Sequence, residues 1–140
     1  MTAATHRSVV VGWTPDEYGA AALEHALADI AAHGGRLVVV NGSKGESLVD
    51  ERFAGDEALQ SLEAQLAAAG AEHDVRQVVG GDVGDQVVAV AEELDADLIV
   101  VALRRRTPVG KLLMGSVAQR ILLGAGCPVL AVKPGITPRT

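Results

Sequence analysis

The sequence predicts an α/β protein, a doubly wound three-layer sandwich around a five-stranded parallel sheet, on three observations. Short β-branched runs alternate with longer segments whose apolar residues recur at helical spacing. The runs are apolar without alternation, the pattern of strands covered on both faces. One helix separates each strand from the next, which forces parallel pairing, because every right-handed crossover returns the chain to the same end of the sheet.

Taken in order, Ser8 to Gly12 (SVVVG) is the first strand. Asp16 to His33 is the first helix, with Leu23, Leu27 and Ile30 at helical spacing and Gly34-Gly35 as its stop. Arg36 to Asn41 (RLVVVN) is the second strand, and Gly42 to Gly55 reads as a polar, mobile loop. Asp56 to Ala69 carries Leu59, Leu62 and Leu66 along one helical face before Gly70. Val75 to Val79 is a third, weaker strand. The helix from Val83 puts Val87, Val90, Ala91 and Leu94 on one face, with Asp82 as its cap. Asp97 to Ala102 (DLIVVA) is the fourth strand, followed by a basic loop, a helix from Ser116 to Leu123 and a fifth strand from Val129 to Val132. Pro134 and Pro138 mark a frayed tail.

The 140 residues predict one domain over the whole chain, able to bury roughly two-thirds of its unfolded surface. Apolar residues make up 49% of it and aromatics 2%, so the core is aliphatic and large aromatic platforms for stacking bases are not expected. A net charge of −6 opposes general nucleic-acid binding, which draws on dense Lys and Arg. The lone Cys127 fits a small core residue in a reducing compartment. No apolar run has signal-peptide or membrane-spanning length, so a cytoplasmic protein with no membrane partner is expected.

Ligands of such folds bind outside the carboxyl ends of the strands, so the loops that follow strands are the candidates. After the first strand, Thr14 offers a hydroxyl, although Thr14 or Asp16 also suits the cap of the next helix; Asp16 is expected there, and Thr14 stays open. After the fourth, Arg104, Arg105, Arg106 and Lys111 place four cations within eight residues. Gly115-Ser116 then opens a helix whose unsatisfied N–H groups and positive dipole end attract an anion. Cations beside a helix N-terminus form a phosphate cradle. The arginines are expected to be exposed, with a solvated charge run as the bland alternative.

Other motifs fail on their spacing. Gly110-Lys111 lacks the P-loop glycine, since Arg105 stands there, and Leu112 replaces the magnesium-binding hydroxyl. Lys133-Pro134 suggests a phosphorelay receiver, but Gly12 and Trp13 end the first strand where paired carboxylates belong. Gly80-Gly81-Asp82-Val83-Gly84 is a turn and cap rather than a dinucleotide fingerprint. His6, His25, His33 and His73 are scattered, so no metal is assigned, and no nucleophile–base set is recognisable.

The layout SVVVG, LVVVN and DLIVVALRRRTPVGKLLMGSVAQRILLGAGCPVLAVKP resembles the universal stress protein family over nearly the whole chain. ATP-binding members carry Gly-x2-Gly-x9-Gly-Ser/Thr after the fourth strand, and that frame falls on Ala102, Arg105, Gly115 and Ser116. The resemblance implies an adenine nucleotide alpha hydrolase-like fold with strand order 3-2-1-4-5. It further implies that Gly115, Ser116 and Val117 hold phosphates while Thr14 and Gly42 face ribose and adenine. Thr14 aligns with an Asp of ATP-binding relatives. Ala102 and Arg105 narrow the path that glycines leave open, whereas Arg104 and Arg105 offer charge-assisted hydrogen bonds instead. The family also implies a homodimer joined through the fifth strand, Pro128 to Lys133, which would cover an apolar edge.

The function expected is regulatory binding of ATP, another adenine nucleotide or another small phosphorylated ligand, with no required cofactor. A dimeric interaction module that lost nucleotide affinity with its glycines is the second reading. An enzyme ranks last, for want of a positioned base, nucleophile or metal set.

Overall fold

The computed structural model describes residues 7–45, 52–104 and 114–139. Its strands are β1 (Ser8–Gly12), β2 (Arg36–Ser43), β3 (His73–Val79), β4 (Leu98–Ala102) and β5 (Val129–Val132). Its helices are α1 (Glu17–His33), α2 (Asp56–Ala68), α3 (Val83–Leu94) and α4 (Ser116–Gly124). All strand pairs are parallel and the order is β3-β2-β1-β4-β5, as the family resemblance implies.

Alternation along the strands divides the core between two faces. Val9, Val11, Leu37, Val39 and Val100 point to the side covered by Ala22, Leu23 and Ala26 of α1 and by Leu62 and Leu66 of α2. Val10, Val38, Val40, Ile99 and Val101 point to the other, beneath Val87 and Val90 of α3 and Ala118 and Ile121 of α4. Each β1 valine is therefore wholly buried, which explains the unbroken apolar run in the sequence.

Several boundaries move for identifiable reasons. Asp16 lies just outside α1 as its cap: Oδ1 accepts the N–H groups of Tyr18 and Gly19, both at 3.1 Å. β4 starts at Leu98 rather than Asp97, whose carboxylate instead accepts the Ser8 N–H at 2.9 Å. β3 starts at His73, which pairs with Leu37.

The expected loop from Gly42 changes most. Gly42 and Ser43 continue β2 beside Val78 and Val79. Buried Gln86 of α3 holds this extension, donating from Nε2 to the Ser43 carbonyl at 2.9 Å and the Gly80 carbonyl at 2.7 Å. A β-carbon on Gly42 would meet Gln86 Oε1 and displace the side chain that holds this extension. At the other end Asn41 donates to the Arg52 carbonyl at 2.8 Å and accepts the Ala54 N–H at 2.8 Å. Both ends are thus tied down; the mobility expected of residues 46–51 lies outside the described residues.

Candidate functional site: a cationic cavity at the strand-order reversal

β1 and β4 are neighbours, yet α1 and α4 pack on opposite faces of the sheet. The chain leaving β1 and the chain leaving β4 therefore diverge, and a crevice opens between them. A cavity of about 420 Å³ lies there. Thr14, Gly42, Ala102, Arg104, Gly115, Ser116 and Val117 all line it, while Arg105 lies outside the described residues.

Each wall follows from local structure. The Trp13 N–H donates to the Val40 carbonyl at 2.9 Å, carrying the β1 pairing one residue past the strand and bringing Thr14 to the rim. Gly19 lets the first turn of α1 sit on the Thr14 backbone, since a β-carbon would overlap the Thr14 carbonyl. Opposite, the Leu103 N–H donates to the Val132 carbonyl at 2.8 Å, which aims the chain at Arg104. α4 opens behind Gly115, which has no side chain to cap it, so among the described residues its first-turn N–H groups have no side-chain cap.

The rim of α1 is differently built. Thr14 Oγ1 donates to Asp16 Oδ1 at 2.6 Å and accepts from Arg104 Nη2 at 2.7 Å. Arg104 Nη2 also reaches Asp16 Oδ2 at 3.1 Å, and the guanidinium carbon lies 4.5 Å from the centre of the Tyr18 ring. Burial raises the Asp16 pKa, but the Thr14 hydroxyl, the Gly19 amide and Arg104 outweigh it, holding the carboxyl below its ordinary value.

Two expectations are corrected here. Arg104 is not an exposed side chain: it is 19% accessible, pinned between Asp16, Thr14 and Tyr18. The absence of aromatic platforms also fails, because Trp13 and Tyr18, two of the chain's three aromatic residues, line this one cavity. A low aromatic fraction limits how many rings exist, not where they gather. The open question over Thr14 resolves into a bridge: its hydroxyl proton goes to Asp16, which is itself the cap.

Lys44 and Arg52 line the cavity as well, and neither was singled out from the sequence. Their signal was the position of Lys44 just past the carboxyl end of β2; Arg52 is brought back by the distant Asn41 contact. Lys44, Arg52 and Arg104 thus face one space in a chain of net charge −6, and no Asp or Glu lines it among the described residues.

Comparison with known proteins gives this geometry a family. The universal stress protein family model matches residues 5–133. The chain belongs to the universal stress protein family. A universal stress protein of Mycolicibacterium smegmatis is 43% identical over 126 residues, covering 90% of this chain and 97% of that relative. Among solved structures, the universal stress protein from Archaeoglobus fulgidus in complex with dAMP is 26% identical, with a TM-score of 0.61 over 91% of this chain and 98% of that one. A universal stress protein in complex with cAMP is 28% identical, with a TM-score of 0.70 over 93% and 98% of the two chains. Among the described residues there is no helix long and apolar enough to cross a membrane, and no cluster of metal-ligating side chains.

Proposed function

We propose that this universal stress protein is a cytoplasmic regulatory binding protein, not an enzyme, whose cavity takes an adenine nucleotide or similar phosphorylated ligand. One observation carries the reading: in an acidic chain, three cations and the N-terminus of α4 converge on a cavity that no Asp or Glu lines among the described residues. Gly115, Ser116 and Val117 serve the phosphate, Arg104 and Arg105 add charge-assisted contacts, and Thr14, Gly42 and Ala102 border the nucleoside. The two relatives of known structure in complex with dAMP and cAMP support an adenine nucleotide as the ligand class.

Thermal denaturation with AMP, ADP, ATP and cAMP tests it, because a ligand bound only by the folded state stabilises it by about 2.7 kcal/mol at a hundred times its Kd. A melting temperature that rises with nucleotide concentration is expected. No shift with any of the four would overturn the reading.

The second reading, an interaction module without a ligand, is favoured by the Thr14 hydroxyl and Arg104, which already satisfy one another. If replacing Ala102 and Arg105 together by Gly created nucleotide binding absent from the parent, this reading would replace the first. Under either, β5 joins two copies: it is an edge strand whose Leu130 is 39% exposed. Leu130→Lys should convert dimer to monomer in sedimentation velocity.

A further inference from the structure

We infer that Asp16 is a specificity-determining residue of the cavity, holding down its preference for charged ligands by acting as a resident competitor for Arg104. The inference rests on the nucleotide-binding reading and names what tunes it.

The two partners of this ion pair are not equally held. Asp16 Oδ1 accepts from the Thr14 hydroxyl at 2.6 Å and from the Tyr18 and Gly19 N–H groups at 3.1 Å each, so the carboxylate is anchored without Arg104. Arg104 reaches Thr14 and Asp16 with one nitrogen, Nη2, from the end of a long side chain. Arg104 lines the cavity and Asp16 does not; the carboxylate stands just behind the cation. A ligand phosphate that meets Arg104 therefore meets a guanidinium already paired with a fixed negative charge. Attraction to the one is offset by repulsion from the other, while a neutral ligand feels neither. Lys44 and Arg52 line the same cavity from the β2 side.

A purely structural bridge between α1 and the end of β4 makes a different forecast. Either partner's loss would then break the same contact, with the same direction of effect on every ligand. Competition instead gives the two substitutions opposite signs. Asp16→Asn removes the charge and keeps the cap, because Asn caps helices about as well as Asp. Arg104→Ala removes the cation.

Calorimetric titration of the parent and both variants with AMP and with adenosine, at low ionic strength, separates the accounts. AMP affinity should rise about three- to tenfold in Asp16→Asn and fall roughly tenfold or more in Arg104→Ala, in each case by much more than adenosine affinity changes. If the parent binds AMP but both variants weaken it, or both shift adenosine as much as AMP, the competition is refuted and nucleotide binding stands. If Asp16→Asn binds AMP and the parent does not, the competition holds, and nucleotide binding by the parent stands or falls on ADP, ATP and cAMP. If none of the three proteins binds either compound, the competition is refuted, and nucleotide binding falls with it when ADP, ATP and cAMP also leave the melting temperature unmoved.

Discussion

The two helices that open beside the cavity begin in contrasting ways. α1 brings its own anion: Asp16 takes two first-turn N–H groups and ties down the nearest arginine. α4 begins at Gly115 with no side-chain cap, and Ser116 is exposed. Both stand at the strand-order reversal, and both N-termini carry the same partial positive charge. On the proposed reading, the chain fills one of these anion positions from within and an outside ligand takes the other. The difference would then lie less in helix geometry, which the two share, than in what caps each helix.

The contrast is sharpened first by closing the open end. Ser116→Glu places a carboxylate in the first turn of α4, which should stabilise the free protein by about 0.3–1 kcal/mol and abolish the melting shift produced by AMP. A variant that kept the full shift would separate the ligand from α4. Breaking the filled end comes next. Gly19→Ala forces a β-carbon onto the Thr14 carbonyl and should cost about 1–3 kcal/mol in urea denaturation, by displacing the start of α1.

Asp16→Ala should cost about 1 kcal/mol, as loss of a cap does. The depressed Asp16 pKa adds a pH signature. The carboxylate's contribution is complete above the unfolded Asp value of about 3.9 and is lost as pH falls below it, through the folded value. Acid unfolding curves of the parent and Asp16→Ala should therefore converge below about pH 4 and separate above it; a constant gap would contradict the pairing. The smallest effect is expected of Arg104→Ala on stability, under about 1 kcal/mol, since a partly exposed ion pair stabilises little.

Most of the fold was legible because each strand carries its burial in its own letters. Val9, Val10 and Val11 cannot be wholly apolar and half solvated in a two-sided sheet. Boundaries were misread where a long-range partner decides them. Gly42 and Ser43 look like a loop until Gln86 arrives from α3, 43 positions past Ser43, to hold them in the sheet. The cavity was half legible. Gly115-Ser116 announces itself by glycine followed by a helical pattern, and Arg104 by its charge. Its capture by Asp16, 88 positions away, has no local trace. Trp13 and Tyr18 were discounted by a composition average that says nothing about position.

The central claim is that an anionic ligand seats against the uncapped start of α4, and backbone amide NMR during an AMP titration tests it most directly. The account predicts that the Gly115, Ser116 and Val117 amides shift most and saturate together, with Thr14 and Gly42 moving less. Saturating shifts confined to the rest of the molecule, with those three amides unmoved, would contradict it.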